Sequence, residues 1–213
     1  GSMYALLVTD FPRLSIPYGN YIINNPLLFT ASCDYLLDIT ALLLLFEFSQ
    51  LNHDWKPKRK FLLPKFIREL VMMQQKSLRN DVAAGLHKAM STGKLFRFDD
   101  DYVVNLEMRF KALEEWIDAN CSIVASSDIL KLEQPADSQK GRLLSYTLVE
   151  FLNNNPKRLR VLLSEDHYYH VMFKNTLPLV SSESYMYRME GEEWGKRFNA
   201  FLVKLNDGRK TLP

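Results

Sequence analysis

Residues 33 to 46 read CDYLLDITALLLLF, and this stretch is the main determinant of the fold class. Its first part, CDYLLD, has the length and apolar content of a short buried strand, and ITALLLLFEFSQL follows as a helix that is apolar almost all round. A strand that runs directly into a buried helix is typical of α/β proteins. Asp38 lies inside this run, and burial of an unpaired charge is costly. We therefore expect its carboxylate to be hydrogen-bonded, paired with a cation, or directed into a cleft.

The same alternation of strands and helices continues along the chain. FLLP at 61–64 predicts a strand, and the next helix has Phe66, Leu70 and Met73 at helical spacing. Further strands are predicted in KLFRFDDD at 94–101, where an acidic turn follows, in SIVASSDILKL at 122–132 and in RLRVLLSED at 158–166, and a last strand and turn are predicted in LPLVSSESYMYRM at 177–189. Further helices are predicted in DYVVNLEMRFKALEEWIDANC at 101–121, GRLLSYTLVEFLNNNP at 141–156, HYYHVMF at 167–173 and EEWGKRFNAFLVKLNDG at 192–208. This order predicts a three-layer α/β/α fold with a central, mostly parallel sheet.

The composition is that of one globular domain with a short appendage. The chain has 213 residues, of which 47% are hydrophobic, so it can bury a full core. Residues 1–30 read as an irregular lead-in, in which Gly1 and Ser2 are an expression remnant, and residues 31–213 read as the folded domain. The 27 basic and 25 acidic residues give a net charge of +2, so bulk charge indicates neither a nucleic-acid nor a membrane partner.

The cysteine spacing and the apolar runs indicate the compartment. Cys33 and Cys121 lie far apart and match no zinc or redox spacing, which favours buried thiols of an intracellular protein. No signal peptide is recognisable, and the run ITALLLLF is about half the length of a membrane span. A cytoplasmic protein without a membrane partner is expected.

Three acidic side chains are predicted near one edge of the sheet. Asp38 ends the first strand, Asp166 ends RLRVLLSED, and Glu69 lies in the first turns of the helix after FLLP. In parallel α/β sheets, ligands bind beyond the carboxyl ends of the strands. Carboxylates that meet there suit Mg²⁺ or Mn²⁺, which can bind a phosphate group. The chemistry this indicates is metal-assisted hydrolysis of a phosphodiester bond.

Each acid also has a purely structural interpretation. Asp38 is placed to cap the helix that follows it. Glu69 is placed to pair with Lys65, or with a cation on the side of Lys76, on an exposed helix face, a contact that contributes a few tenths of a kcal/mol. Either Glu165 or Asp166 faces the sheet edge, because neighbouring residues of a strand point to opposite sides.

The three blocks that contain these acids resemble, in their order and separation, the blocks of the PIN-domain nucleases. The blocks read YLLDITALLLLFEF, FLLPKFIREL and LLSEDHYY. Asp38 with Thr40, Glu69, and Ser164 with Asp166 match the family pattern residue by residue. The resemblance implies Asp38, Glu69 and Asp166 as catalytic, metal-binding residues of an Mg²⁺- or Mn²⁺-dependent endoribonuclease. It implies that Thr40 and Ser164 carry hydroxyls that orient the ligands.

One position departs from the pattern of the family. PIN nucleases carry a further Asp at the start of the helix before the fourth strand, where this chain has Gly141. Asp137 is the residue that can supply this metal ligand from the preceding loop. The alternative is a catalytically degenerate PIN-like module that binds nucleic acid or a protein.

Basic and aromatic side chains are candidates for nucleic-acid contact. The short runs KPKRK and PKRLR supply cations for a phosphate backbone, and an aromatic ring can stack on an unpaired base, which nominates Trp55, Lys58, Arg59, Lys60 and Arg158. RNA is the expected partner, with single-stranded DNA as the second choice and a protein partner or antitoxin left open. The histidines of HYYH, His167 and His170, are expected to be ordinary surface or edge residues beside the acids.

Overall fold

A computed structural model describes residues 25–73, 75–76, 100–124, 158–166, 169–170 and 177–208. After a short 3-10 helix (Pro26–Leu28), its strands are β1 (Cys33–Leu37), β2 (Phe61–Pro64), β3 (Cys121–Val124), β4 (Leu159–Leu163) and β5 (Leu179–Val180). Its helices are α1 (Ile39–Leu51), α2 (65–73), α3 (Asp100–Asn120), α4 (Ser182–Tyr185), a π-helix (Met186–Glu190) and α5 (Glu192–Gly208). The helix predicted at 141–156 and most of the strand predicted at 94–101 lie outside these residues, and Asp100 and Asp101 open α3.

The five described strands form one parallel sheet in the order β3-β2-β1-β4-β5. Strands β2 and β3 follow β1 on one side of the sheet, and β4 and β5 are added on the other side of β1. Neighbouring strands β1 and β4 therefore flank the point where the strand order reverses, which is where open α/β sheets bind their ligands. The predicted α/β/α class with a parallel sheet is confirmed.

The ends of β1 and β4 lie side by side. The two strands pair in register from Cys33 opposite Leu159 to Leu37 opposite Leu163. The pairing continues past the strands, because the backbone N–H of Asp38 donates to the carbonyl of Leu163 at 3.1 Å. Residues that follow directly on these strands are thus held at the same level of the sheet edge.

Alternate strand residues enter the two layers that cover the sheet. Tyr35 and Leu37 belong to a large buried cluster that contains the apolar side chains of α1 and α5. Leu36 points the other way and packs with Leu162 and Tyr169 in a second buried cluster. The sheet is therefore buried on both faces, which is why its strands read as continuous apolar runs.

Helix α1 is buried along almost its whole length, as its sequence indicates. The ring of Phe48, for example, packs edge-on against the rings of Trp55 and Phe198, with distances of 5.3 and 5.0 Å between ring centres. A polar side chain at this position of α1 would lose these contacts. The helix ends where the side-chain amide of Asn52 donates to the Phe48 carbonyl at 2.9 Å. No helix in the described part of the chain is long and apolar enough to cross a membrane.

The last strand predicted within 177–189 is confirmed but is short, and a helix follows it where a turn is predicted. Only Leu179 and Val180 pair with β4, and the chain then turns helical. The cause is Ser181, whose hydroxyl accepts the backbone N–H of Ser184 at 3.2 Å and so caps α4. The helical segment ends at Gly191, where φ is +114°, a value that glycine adopts readily.

Candidate active site at the carboxyl edge of β1 and β4

Asp38 is buried at the first turn of α1. Only 2% of the residue is exposed, and its carboxylate accepts bonds from the backbone N–H of Ala41 at 2.8 Å and the hydroxyl of Thr40 at 2.7 Å, both on Oδ1. Asp38 therefore caps α1, as the structural interpretation predicts. The remaining oxygen, Oδ2, faces the chain that leaves β4.

Two hydroxyl groups connect the Asp38 carboxylate to the segment after β4. Thr40 Oγ1 accepts the backbone N–H of Glu165 at 2.8 Å, and Ser164 Oγ accepts the backbone N–H of Asp166 at 3.0 Å. Ser164 Oγ also donates to Oδ2 of Asp38. Because each hydroxyl has one proton and already accepts from a backbone N–H, both protons are directed at Asp38. The expectation that Thr40 and Ser164 orient the acid agrees with these bonds.

Glu165 is a buried acid beside Asp38 that the pattern of the sequence does not single out. It is 5% exposed, and its Oε1 accepts the backbone N–H of Ser182 at the start of α4. The neighbouring residue, Asp166, is only partly buried. The Ser-x-Asp pattern therefore identifies the more accessible of the two acids. The sequence feature that could have predicted the burial of Glu165 is the pair Ser181-Ser182 after a short apolar run. This pattern is typical of the start of a helix, whose first N–H groups can bind a carboxylate.

Burial raises the pKa of both buried carboxyl groups. The pKa of Asp38 rises to about 6, because the cost of burying its charge exceeds the stabilisation by its three hydrogen bonds, and repulsion from Asp166 adds to the rise. The pKa of Glu165 rises to about 7, again through burial, with bonds from Ser182 opposing the rise and repulsion from Asp38 and Glu183 supporting it. Perturbed acids in a cluster are a mark of functional sites.

His170 lies beneath the same segment. It is 2% exposed, and its Nε2 lies 2.8 Å from the backbone oxygen of Ser164. It is therefore a buried histidine that supports the loop after β4, so the surface alternative is wrong for it, while its place at the sheet edge beside the acids is as expected. His167 lies outside the described residues.

Glu69 is turned away from the core. Its carboxylate pairs with Lys65 at 3.4 Å, and both side chains are more than half exposed. The reason is helical phase: Ile67 and Val71 are the fully buried residues of α2, and Glu69 is about 200° around the helix from each. The inner face expected from the spacing includes Met73, which is instead 65% exposed.

The structure brings together Asp38 and Asp166 of the predicted metal ligands. In the described part of the chain, no three His, Cys, Asp or Glu side chains are grouped so that they could hold one metal ion. Glu69 is therefore not gathered with the other two acids. Asp137 and Gly141 lie outside the described residues.

The predicted nucleic-acid contacts lie at the other edge of the sheet. Lys58, Arg59 and Lys60 precede β2, and Arg158 precedes β4, so all four are at the amino ends of strands. Strand β1 separates the two edges by about 17 Å at roughly 3.3 Å per residue. These cations and the acids cannot contact the same phosphate group.

Trp55 lies in the core. It is 3% exposed, and its ring packs against Phe48. No face of the indole is open to a base, so the expected stacking contact is not available in this structure.

The chain matches no protein-family model, no curated protein and no solved structure. Its chemistry is therefore inferred from the geometry of its own residues.

Proposed function

We propose that this protein is a PIN-like ribonuclease that uses Mg²⁺ or Mn²⁺ at the carboxyl edge between β1 and β4. The observation that carries the proposal is the meeting of Asp38 with Ser164 and Asp166 across the two strands that flank the reversal of strand order. Nothing in the order of the sequence alone requires residues 126 positions apart to share one hydrogen-bonded group.

The donor set of the site fits Mg²⁺. This ion keeps several waters and is commonly held by one or two carboxylates together with substrate phosphates. Both lone pairs of Oδ1 of Asp38 are used by Ala41 and Thr40, while Oδ2 accepts a bond from Ser164 and retains a lone pair for a cation. Asp166 is the second carboxylate, and Glu69 is left out of the set.

The residues of the chain prepare the site in two ways. Thr40 and Ser164 fix the rotation of the Asp38 carboxylate, so its oxygens are positioned before any ligand arrives. The backbone bonds to residues 165 and 166 hold Asp166 at the same edge. A bound divalent ion would supply an activated water and would neutralise charge on the phosphate.

Cleavage of labelled RNA in Mg²⁺ or Mn²⁺ tests the proposal. The parent is compared with Asp38→Asn and Asp166→Asn, each with and without EDTA. We expect cleavage that requires the ion and is lost in both variants, because each removes a ligand charge. Glu69→Gln is the matched control, and we expect its rate within about threefold of the parent because its carboxylate pairs with Lys65 in solvent.

Two results would contradict the proposal. One is cleavage that survives EDTA, and the other is an Asp38→Asn variant as active as the parent. A strong loss of cleavage in Glu69→Gln together with full activity in Asp166→Asn would show that Glu69, and not Asp166, is the second metal ligand.

The second candidate is a catalytically degenerate PIN-like module that binds nucleic acid or a protein. It is favoured by the exposure of Glu69 and by the lack of a three-ligand group among the described residues. It predicts no heat of Mn²⁺ binding by titration calorimetry in a protein that unfolds cooperatively. Binding that disappears in Asp38→Asn would exclude it.

A further inference from the structure

The amino edge of the sheet has two arginines that converge on one backbone oxygen. Arg59 and Arg158 each donate to the carbonyl of Ala31 at 3.3 Å, so the two guanidinium groups are near neighbours. They come from the loops before β2 and before β4, which are not adjacent in sequence. Like charges repel, so such a pair attracts an anion unless an acid of the protein compensates it.

The acids near this pair compensate only part of its charge. Asp34 pairs with Arg158 at 3.1 Å and is 24% exposed at its side chain. Glu190 is buried and accepts the backbone N–H of Lys58, while the Lys58 amine donates to the carbonyls of Met189 and Glu190. The positive charges of Arg59 and of the neighbouring Lys60 have no such partner among the described acids.

The geometry of these cations suits phosphate groups. A guanidinium presents paired N–H donors that match the oxygens of a phosphate. The hydrogen bonds of Arg59 to the carbonyls of Thr30, Ala31 and Cys33 all come from one terminal nitrogen, Nη1. Arg158 is half exposed, and Lys60 is exposed at the start of β2.

We infer that Arg59, Lys60 and Arg158 form a second RNA-contact surface that binds the phosphate backbone at the edge opposite the acids. The choice of RNA as the polyanion rests on the proposed function. Because about 17 Å of strand separates the two edges, one RNA molecule must pass around the sheet to contact both. The surface therefore acts on substrate affinity and not on the chemical step.

Binding is measured in EDTA by fluorescence anisotropy with a labelled single-stranded RNA of about 20 nucleotides, at several salt concentrations. The test variant is Lys60→Gln with Arg158→Gln, and Lys111→Gln on α3 is the control that matches the single variant Lys60→Gln in charge. We expect the double variant to bind about tenfold more weakly and to lower the salt-dependence slope by about 1.4, since each single-strand phosphate contact contributes about 0.7. Lys111→Gln should bind like the parent. Lys60→Gln alone avoids any loss of the Arg158 bonds and should show half of the change in slope.

Three results would overturn the inference: no RNA binding by the parent, an unchanged slope in the double variant, or displacement of RNA by polyglutamate as effective as displacement by unlabelled RNA. The last result would indicate a surface for acidic proteins. With cleavage measured separately, the double variant should raise KM and leave kcat unchanged. If the salt-dependence slopes change as expected but the protein shows no metal-dependent cleavage, the proposed function is contradicted and the inference about this surface still holds.

Discussion

At the carboxyl edge of the sheet, Asp38 and Glu165 are buried, and hydrogen bonds around them join distant segments of the chain. At the amino edge, Arg59 and Arg158 are partly exposed and donate mainly to the carbonyls of one turn. The first arrangement holds two carboxyl groups of raised pKa inside a buried hydrogen-bonded network, and the second leaves charge available to solvent. In this protein the acids at the carboxyl ends of the strands are candidates for chemistry, and the cations at the amino ends are candidates for binding a polyanion.

The largest expected effect is on catalysis at the carboxyl edge. Asp38→Asn should lower the rate of RNA cleavage about a thousandfold, because loss of a ligand charge removes several kcal/mol of transition-state stabilisation. Asp34→Asn, at the other end of the same strand, is the matched control and should change kcat less than about twofold, an order-of-magnitude limit for a partly exposed pair. Initial rates at saturating RNA measure both. Equal losses in the two variants would remove the distinction between the edges.

The next effect is a dependence of stability on pH. Because the pKa of Glu165 is raised from 4.5 to about 7, the folded protein keeps a proton that the unfolded chain has released. This contribution to stability is fully present below about pH 4.5 and is lost as the pH rises through about 7. The free energy of unfolding in urea should therefore fall between about pH 5 and pH 8, and Glu165→Gln should reduce that fall by about 2 kcal/mol.

Gln is a suitable replacement because its side-chain oxygen can still accept the backbone N–H of Ser182. Buffers of equal ionic strength are needed, because surface charges also respond to salt. A variant whose unfolding curve depends on pH as strongly as that of the parent would show that Glu165 is ionised at neutral pH in the folded protein.

An effect on stability of similar size is expected from the bridging hydroxyl of Thr40. Thr40→Val removes a donor to Asp38 and leaves the backbone N–H of Glu165 without its acceptor, which should cost about 2 kcal/mol in urea unfolding. Thr40→Ser keeps the hydroxyl and should recover most of the loss. If both variants are equally destabilised, packing of the Thr methyl group is responsible and not the bridge.

The smallest effect is expected at the amino edge. Arg158→Gln breaks the ion pair with Asp34, but the Arg158 side chain is 50% exposed, so the free energy of unfolding should change by less than about 0.5 kcal/mol. Thermal or urea unfolding measures this. A loss comparable to that of Thr40→Val would show that the amino edge is as tightly determined as the carboxyl edge.

The sequence predicts those features that depend on neighbouring residues. The passage from β1 into α1, the position of Asp38 at the strand end and its role as a helix cap are all determined within a short stretch of chain. Their apolar pattern and the capping residue suffice to find them. The parallel sheet follows because strands alternate with helices.

Features that depend on distant segments are harder to predict. The burial of Glu165 depends on α4, whose first residue lies 17 positions later, and the strand pattern of that segment hid the helix cap at Ser181. The exposure of Glu69 depends on which of two apolar stripes of α2 faces the sheet, and propensity does not distinguish them. Trp55 lies in a polar, basic loop, yet the side chain of Phe48 provides a buried place for its ring.

The bond between Ser164 and Asp38 also has a consequence for protein synthesis. The two residues are 126 positions apart, so at about 5 to 20 residues per second the ribosome needs roughly ten seconds to add the partner after Asp38. During that interval Asp38 can cap α1, but it lacks the hydroxyl and the second acid from the end of β4. The hydrogen-bonded group around Asp38 is therefore complete only after β4 has emerged from the ribosome.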